Sequence, residues 1–276
     1  MKNNFHPTSI VSIKANIDPS SIIGPNCVIG ENVKIGKNCK LISNVVIDGN
    51  TTIGDGCEFY PFSVIGMVPQ DLKYEGEKTF LKIGNQNIFR EHSTIHLGTK
   101  SGGGTTIIGN NNLIMTGAHV AHDCNIGKSV VLANGALLGG HVSIGSNVFV
   151  GGGAALHQFI RVGDGAMIGG MAEISADVPP QITVVGRNLA SGLNLIGLRR
   201  RGVSRKEISE LKKLYRDFLN VPGNLKARAS DLLDSKKPPE TELGIRFVEF
   251  FLTGDRNFSR SRKISKTEII LETEEE

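Results

Sequence analysis

A chain of 276 residues with a formal net charge of only +4 is long enough to bury a core as one large domain or two ordinary ones. It is too weakly basic, with no stacking aromatics interleaved among its cations, to point to nucleic acid. No run approaches the roughly 18 apolar residues of a membrane span and nothing after Met1 has secretory character, so a cytoplasmic protein with no integral membrane segment is expected.

From Val11 a six-residue frame opens on Val11, Ile17, Ile23, Ile29, Ile35, Leu41, Ile47, Ile53, Phe59 and Ile65. It resumes at Ile83, Phe89 and Ile95, and runs again from Ile108 to Ile174. Of 25 frames, 23 begin with Ile, Leu or Val, and the fifth position is nearly always small. One bulky and one small residue at a fixed short period predict strands that turn a corner every six residues, three to a coil. The 34 glycines and the absence of tryptophan suit such closely stacked units. The pattern is identified as the left-handed hexapeptide β-helix, covering roughly residues 10–180. Cys27, Cys39, Cys57 and Cys124 all fall at the fifth, inward position and are expected to be reduced core filler.

Two polar segments leave the frame, MVPQDLKYEGEKTF at 67–80 and GTKSGGGTT at 98–106. Both are expected to be loops thrown out from a coil, where function commonly sits. The second resembles no phosphate-binding loop, because no Lys-Ser/Thr and helix follow it. After DVPP at 177–180 the pattern turns helical. Ser204 and Glu207 form a capping box, followed by Ile208, Leu211, Tyr215 and Phe218 at helical spacing. A further helix is expected after Pro238-Pro239, through Leu243, Phe247 and Phe250-Phe251, stopping at Gly254. The predicted class is therefore mainly β: a left-handed parallel β-helix over 1–186, a small α-helical domain over 187–258, and a flexible tail over 259–276.

An 18-residue coil stacks His122 beneath position 140, beside His141, and brings His157 close above. Allowing for the second loop, His96 falls about one coil below His122. Four imidazoles along one edge suggest a site that handles protons near neutral pH. The frame puts His122 and Asp123 at successive positions, so their side chains are expected to diverge, with Asp123 orienting a different imidazole or the substrate. Two chemistries use such a column. Three imidazoles can hold a zinc ion with an open fourth position, as in γ-class carbonic anhydrases, or one histidine can act as general base in acyl transfer. The spacing His119-x-x-His122 does not look like the carbonic anhydrase pattern, and the loops and helices would be idle there, so no metal is expected.

QDLKY at 70–74, TIH at 94–96, GAHVAHDC at 117–124, GGHVSIG at 139–145, GGGAALHQF at 151–159, DVPP at 177–180 and GLNLIGLRRRG at 192–202 together resemble the UDP-N-acetylglucosamine O-acyltransferase family over roughly residues 5–255. The resemblance implies transfer of a 3-hydroxyacyl group from acyl carrier protein to the sugar 3-hydroxyl, the first step of lipid A synthesis. It also implies a cytoplasmic homotrimer with sites between subunits and no cofactor. Carried over by position, His122 is the general base, Asp123 supports it, and the Gly140 N–H stabilises the oxyanion. Gln70, Asp71, Lys73, His96, His119, His141, His157 and Gln158 line the cleft. Asn194, Arg200 and Arg201 meet the nucleotide, and Arg199, Arg205 and Lys206 add charge that steers the acidic carrier. Gly170 bounds the acyl groove and, lacking a side chain, resembles members that take longer chains. Ile196 departs from a glutamate found in some relatives, which leaves room for a 3-amino acceptor. The sister N-acyltransferase is disfavoured because hexads begin by residue 11. A trimeric acetyltransferase using acetyl-CoA and a non-catalytic scaffold remain the alternatives.

Overall fold

The computed structural model describes residues 4–261. Nearly every hexad forms a strand of two to four residues followed by a corner. Strands one coil apart pair in parallel: Ile10 lies against Val28 and Val28 against Val46, a step of 18 residues. Three sheets result, of nine, eight and eleven strands. The first face runs from Ile10–Val11 to Glu173–Ile174, the second from Asn16–Ile17 to Arg161–Val162, and the third from Ile22–Ile23 through Met167–Ile168. The expected three-faced β-helix is therefore present.

The bulky residue opening each frame points into the prism. Ile23, Leu41, Phe59, Phe89, Ile114 and Leu132 are fully buried along it, and the Phe59 and Phe89 rings stack with centroids 4.9 Å apart. Each such side chain contributes roughly 1.5–3 kcal/mol by leaving water, repeated coil upon coil. All four cysteines are buried and unpaired. Cys39 and Cys57 donate to Gly54 O and Gly84 O at 3.1 and 3.2 Å, so the small inward position also satisfies carbonyls of the next coil. Corners are turned by left-handed residues, among them Asn26, Asn38, Asn44, Asn111, Asp123, His141 and Phe159. Asn and Asp tolerate this region best because their short polar side chains bond locally.

Past Ile174 the third face grows in a way the hexads did not reveal. Ile182–Val185 pairs in parallel with Met167–Ile168, then Leu189–Leu193 returns antiparallel, and Arg260–Ser261 adds beside it. Helix α1 (Leu195–Arg200) follows, then α2 (Arg205–Leu219), α3 (Leu225–Leu233) and α4 (Glu242–Glu249), the last continuing as a 3-10 turn over Phe250–Leu252. The Ser204/Glu207 capping box opens α2 as expected, and Gly254 closes the last helical segment at φ 95°. Helices α1 and α3 were not anticipated. The first has only six residues, too few for a period, and the second buries only Leu225 and Ala229.

Phe218, Phe247 and Phe251 form the helical core, with Phe218 and Phe251 centroids 5.0 Å apart. Arg161, on the last strand of the second face, ties this core to the prism. Its Nε donates to Asp177 Oδ2 at 2.7 Å, its Nη1 to Thr253 Oγ1 and its Nη2 to Thr253 O, both at 2.6 Å. Its guanidinium also lies over the Phe250 ring. Of the expected tail, Ser259 N–H donates to Asp177 O and Arg260–Ser261 is paired; residues 262–276 lie outside the described residues. Among the described residues no helix is long and apolar enough to cross a membrane.

Candidate active site

Both excursions leave the same corner of the prism, between the first and second faces. One connects Val64–Met67 to Phe80–Ile83 and the other Thr94–His96 to Thr105–Ile108. His122, His141 and His157 turn this same corner in the coils that follow. The two loops are joined where Lys100 N–H donates to Glu77 Oε1 at 3.1 Å. Thr94 pairs with His119 and Ile95 with Val120, a step of 25 residues, so His96 falls opposite Ala121. That is one residue short of the expected place below His122. The imidazoles consequently meet in pairs: His96 edge-on to His119 at 4.9 Å, and His122 edge-on to His141 at 5.1 Å.

His122 Nδ1 lies 2.8 Å from Asp123 Oδ2, which overturns the expectation that these neighbours diverge. Asp123 has φ 59°, and this left-handed turn swings its carboxylate back toward the preceding side chain instead of to the opposite face. With Nδ1–H donated to the carboxylate, Nε2 is left as an acceptor. That nitrogen faces Gly140: a Cβ there would sit 2.7 Å from it and 2.6 Å from Cε1, so only glycine lets the next coil approach the ring this closely. Among the described residues the Gly140 N–H meets no acceptor.

His141 is stacked on its other side by Phe159, with centroids 4.2 Å apart and the rings nearly parallel. Burial holds its pKa below the usual imidazole value; Asp123 and Asp71 oppose this, and His122 adds to it. Asp71, in the first loop, is near enough for its charge to act on His141. The ligand atoms of His122, Asp123 and His141 lie within 4.8 Å of one another, close enough to be considered for a metal. The Asp123 carboxylate, however, is already engaged by Thr99 as well as by His122.

His119 Nδ1 bonds Thr94 Oγ1 at 2.7 Å, and burial, then His122, lowers its pKa. His96 is 6% exposed and its Nδ1 finds no partner. Burial first, then His119 and His122, push its pKa down to about 4. A histidine depressed on folding stabilises the fold fully above its unfolded pKa of 6.5 and loses that contribution as pH falls toward about 4. The loss over this window amounts to about 3 kcal/mol at most. Urea midpoints should therefore fall on acidification, and His96→Leu should flatten the dependence.

The remaining predicted residues divide between this corner and another face. Gln70, Lys73, His157 and Gln158 are exposed on the loop side of the corner; His157 Nδ1 approaches Gln158 O, which also accepts from Arg256. Asn194, Arg200 and Arg201 line a separate cavity of about 480 Å³ over the third face, with Val131, Phe149, Met167 and Ile196. The Asn194 amide is occupied there, capping α1 through Gly197 N–H and donating to Gly165 O. Gly170 sits at the corner between the third and first faces, beside Gly152. The predicted set is thus split between two sides of one chain. Thr94, Thr99, Thr106 and Phe159, which hold the histidine edge, were not anticipated as site residues, although Thr94 and Phe159 lay inside motifs that drew attention and Thr99 and Thr106 inside the second loop.

Residues 32–66 and 105–140 match the model of bacterial transferase hexapeptides, and residues 177–259 match that of UDP N-acetylglucosamine O-acyltransferase domain 2. An acyl-[acyl-carrier-protein]–UDP-N-acetylglucosamine O-acyltransferase of Thermodesulfovibrio yellowstonii is 46% identical over 94% of this chain and 100% of its own length. The chain belongs to the UDP-N-acetylglucosamine O-acyltransferase family. The Caulobacter vibrioides member is 47% identical over 84% of this chain and 88% of its own. The crystal structure of the Francisella novicida UDP-N-acetylglucosamine acyltransferase superposes with a TM-score of 0.89 at 36% identity, covering 95% of both chains.

Proposed function

We propose that this family member transfers a 3-hydroxyacyl group from acyl carrier protein to the 3-hydroxyl of UDP-N-acetylglucosamine, opening lipid A synthesis, with His122 as general base. The observation that carries the reading is the His122–Asp123 pair, with Nε2 free beside Gly140. Nε2 removes the proton of the sugar hydroxyl as its oxygen attacks the thioester carbonyl. The C–O bond forms, the negative charge moves onto the carbonyl oxygen, and the Gly140 N–H donates to it. Collapse breaks the C–S bond, and the imidazolium returns its proton to the departing thiolate. Asp123 holds the imidazole in the required tautomer and stabilises its charged form. His96, His119 and His141, whose pKa values burial lowers, are weaker competitors for that proton and offer hydrogen bonds.

A sugar nucleotide reaching from the histidine edge to the basic cavity needs both halves of the predicted set. Their separation on one chain supports a homotrimer in which a neighbour's third face, with Arg200 and Arg201, meets this chain's corner. Gln70, Asp71, Lys73, His157 and Gln158 then close over the sugar, while Asn194 shapes the cavity as a helix cap. Arg199, Arg205 and Lys206 provide positive charge suited to an acidic carrier.

Incubation with UDP-N-acetylglucosamine and a panel of acyl carrier protein thioesters, with acetyl-CoA as an alternative donor, tests the reading by product mass. A Cβ on Gly170 would touch only Gly152, no nearer than 3.4 Å, so the position is open. The chain should favour longer acyl groups, and Gly170→Leu should move the preference to shorter ones. Strong preference of the unaltered chain for short acyl groups or for acetyl-CoA would overturn this assignment.

A further inference from the structure

The excursion GTKSGGG, residues 98–104, folds back onto Asp123. Thr99 N–H donates to Asp123 Oδ1 at 2.8 Å and Thr99 Oγ1–H to Oδ2 at 2.6 Å, while Thr106 Oγ1 accepts the Asp123 N–H at 2.8 Å. One threonine therefore grips the carboxylate and the other the backbone of the same left-handed residue. Thr99 is 2% exposed, and it also caps the short turn Lys100–Gly102 by accepting from Gly102 N–H. The loop's glycines follow from this closeness. A Cβ on Gly102 would overlap the Asp123 carboxyl carbon, and one on Gly98 would press on Oδ1. Gly103 closes the turn at φ 93°, a region where glycine alone is unstrained.

We propose that Thr99 is a positioning residue for the His122–Asp123 pair, and that the excursion is a clamp fixing which carboxylate oxygen receives the His122 Nδ1–H. The proposal rests on His122 acting as base. Rotation of a carboxylate about its last torsion is soft, and a buried carboxylate bonded only to the imidazole has two oxygens to offer and a range of angles. Two donors from Thr99, one to each oxygen, remove that freedom. Oδ2 is then aimed at Nδ1, and Nε2 is held beside Gly140, where the hydroxyl proton is taken. Outer partners of this kind orient a histidine as strictly as the group it bonds directly.

The decisive variant is Thr99→Val, which keeps the shape and the backbone N–H but loses the hydroxyl. Expected is a fall in kcat of about 10- to 100-fold, the range for one lost hydrogen bond to a charged group, with KM for the sugar nucleotide changed by no more than about twofold. Thr99→Ser should restore most of the rate. On an Asp123→Ala background, Thr99→Val should cost nothing further, because the residue acts only through the carboxylate. The His122 Nδ1–H proton resonance, identified by its loss in His122→Ala, should shift or broaden in Thr99→Val. A folded Thr99→Val chain with an unchanged kcat, a serine variant as impaired as the valine one, or an undiminished effect on the Asp123→Ala background would each overturn the clamp. Should Thr99→Val not fold, Gly102→Ala carries the same test, since its methyl group must displace the carboxylate; full turnover there would equally overturn it. His122→Ala separates the two levels. Turnover retained without His122 removes the base itself, whereas turnover lost without His122 but kept without the Thr99 hydroxyl removes only the clamp.

Discussion

Replacing His122 with alanine should leave the prism intact and lower kcat by about 10²–10⁴-fold, the share a positioned general base supplies. The side chain is largely buried but sits at a corner, outside the prism, with Asp123 and His141 as its partners, so no inward residue loses its packing. Circular dichroism and the melting temperature should stay close to those of the parent. The sugar hydroxyl is a weak nucleophile, and without Nε2 its proton has only water to go to. Binding of UDP-N-acetylglucosamine should persist, since the basic cavity and the other histidines are untouched, so the loss should appear in kcat far more than in KM. A variant that turns over at the parental rate with either acyl carrier protein or acetyl-CoA donors would exclude this imidazole as the base.

Arg161→Ala should produce the largest loss of stability, about 3–5 kcal/mol, the usual result of removing one partner from a buried ion pair. Asp177 is 1% exposed, and its pKa is already raised by burial against the lowering effect of Arg161. Without the guanidinium, the carboxylate keeps the Arg161 backbone N–H at 2.8 Å but loses its counter-charge. Two anchors to Thr253 and the contact with the Phe250 ring go with it, loosening the helical cluster from the prism. The sign with pH follows from the raised pKa. An ionised, unpaired Asp177 destabilises the fold above its folded pKa, and protonation relieves it below, so the deficit relative to the parent should shrink as pH falls through that raised pKa. Urea unfolding of both chains at matched pH measures it, and Arg161→Ala/Asp177→Asn should regain part of the loss.

The prism was legible because its cause is local and repeated. Each frame needs one bulky and one small inward residue, and Ile23, Cys27, Ile29 and Val33 announce this without reference to anything distant. The corner holding the histidines was legible for the same reason, since an 18-residue step fixes who lies above whom. Legibility ended where the chain departs from that step. The 25-residue interval from Thr94 to His119 slid His96 by one place, and a single place exchanged its partner from His122 to His119. The hydrogen bond between His122 and Asp123 was missed because it depends on the sign of one backbone angle, which periodicity does not report. Thr99 and Thr106 look like ordinary loop polar residues in the sequence, and only the fold of the loop brings them onto Asp123. Strands 182–185 and 189–193 pair with each other and with Met167–Ile168 off the six-residue frame, and neither they nor helices α1 and α3 have a pattern of their own.

Because every coil is pinned by the ones above and below it, extra chain inserted at a corner bulges outward without disturbing the rungs on either side. The two excursions exploit this: twelve and eight residues, 68–79 and 97–104, are accommodated while Phe59, Phe89 and Ile114 stay in line on the axis. Such a scaffold separates the part that sets spacing from the part that sets chemistry. Loops at this edge can lengthen, shorten or change composition at little cost to the whole, so new substrates can be reached by editing a margin while the ruler beneath stays unaltered.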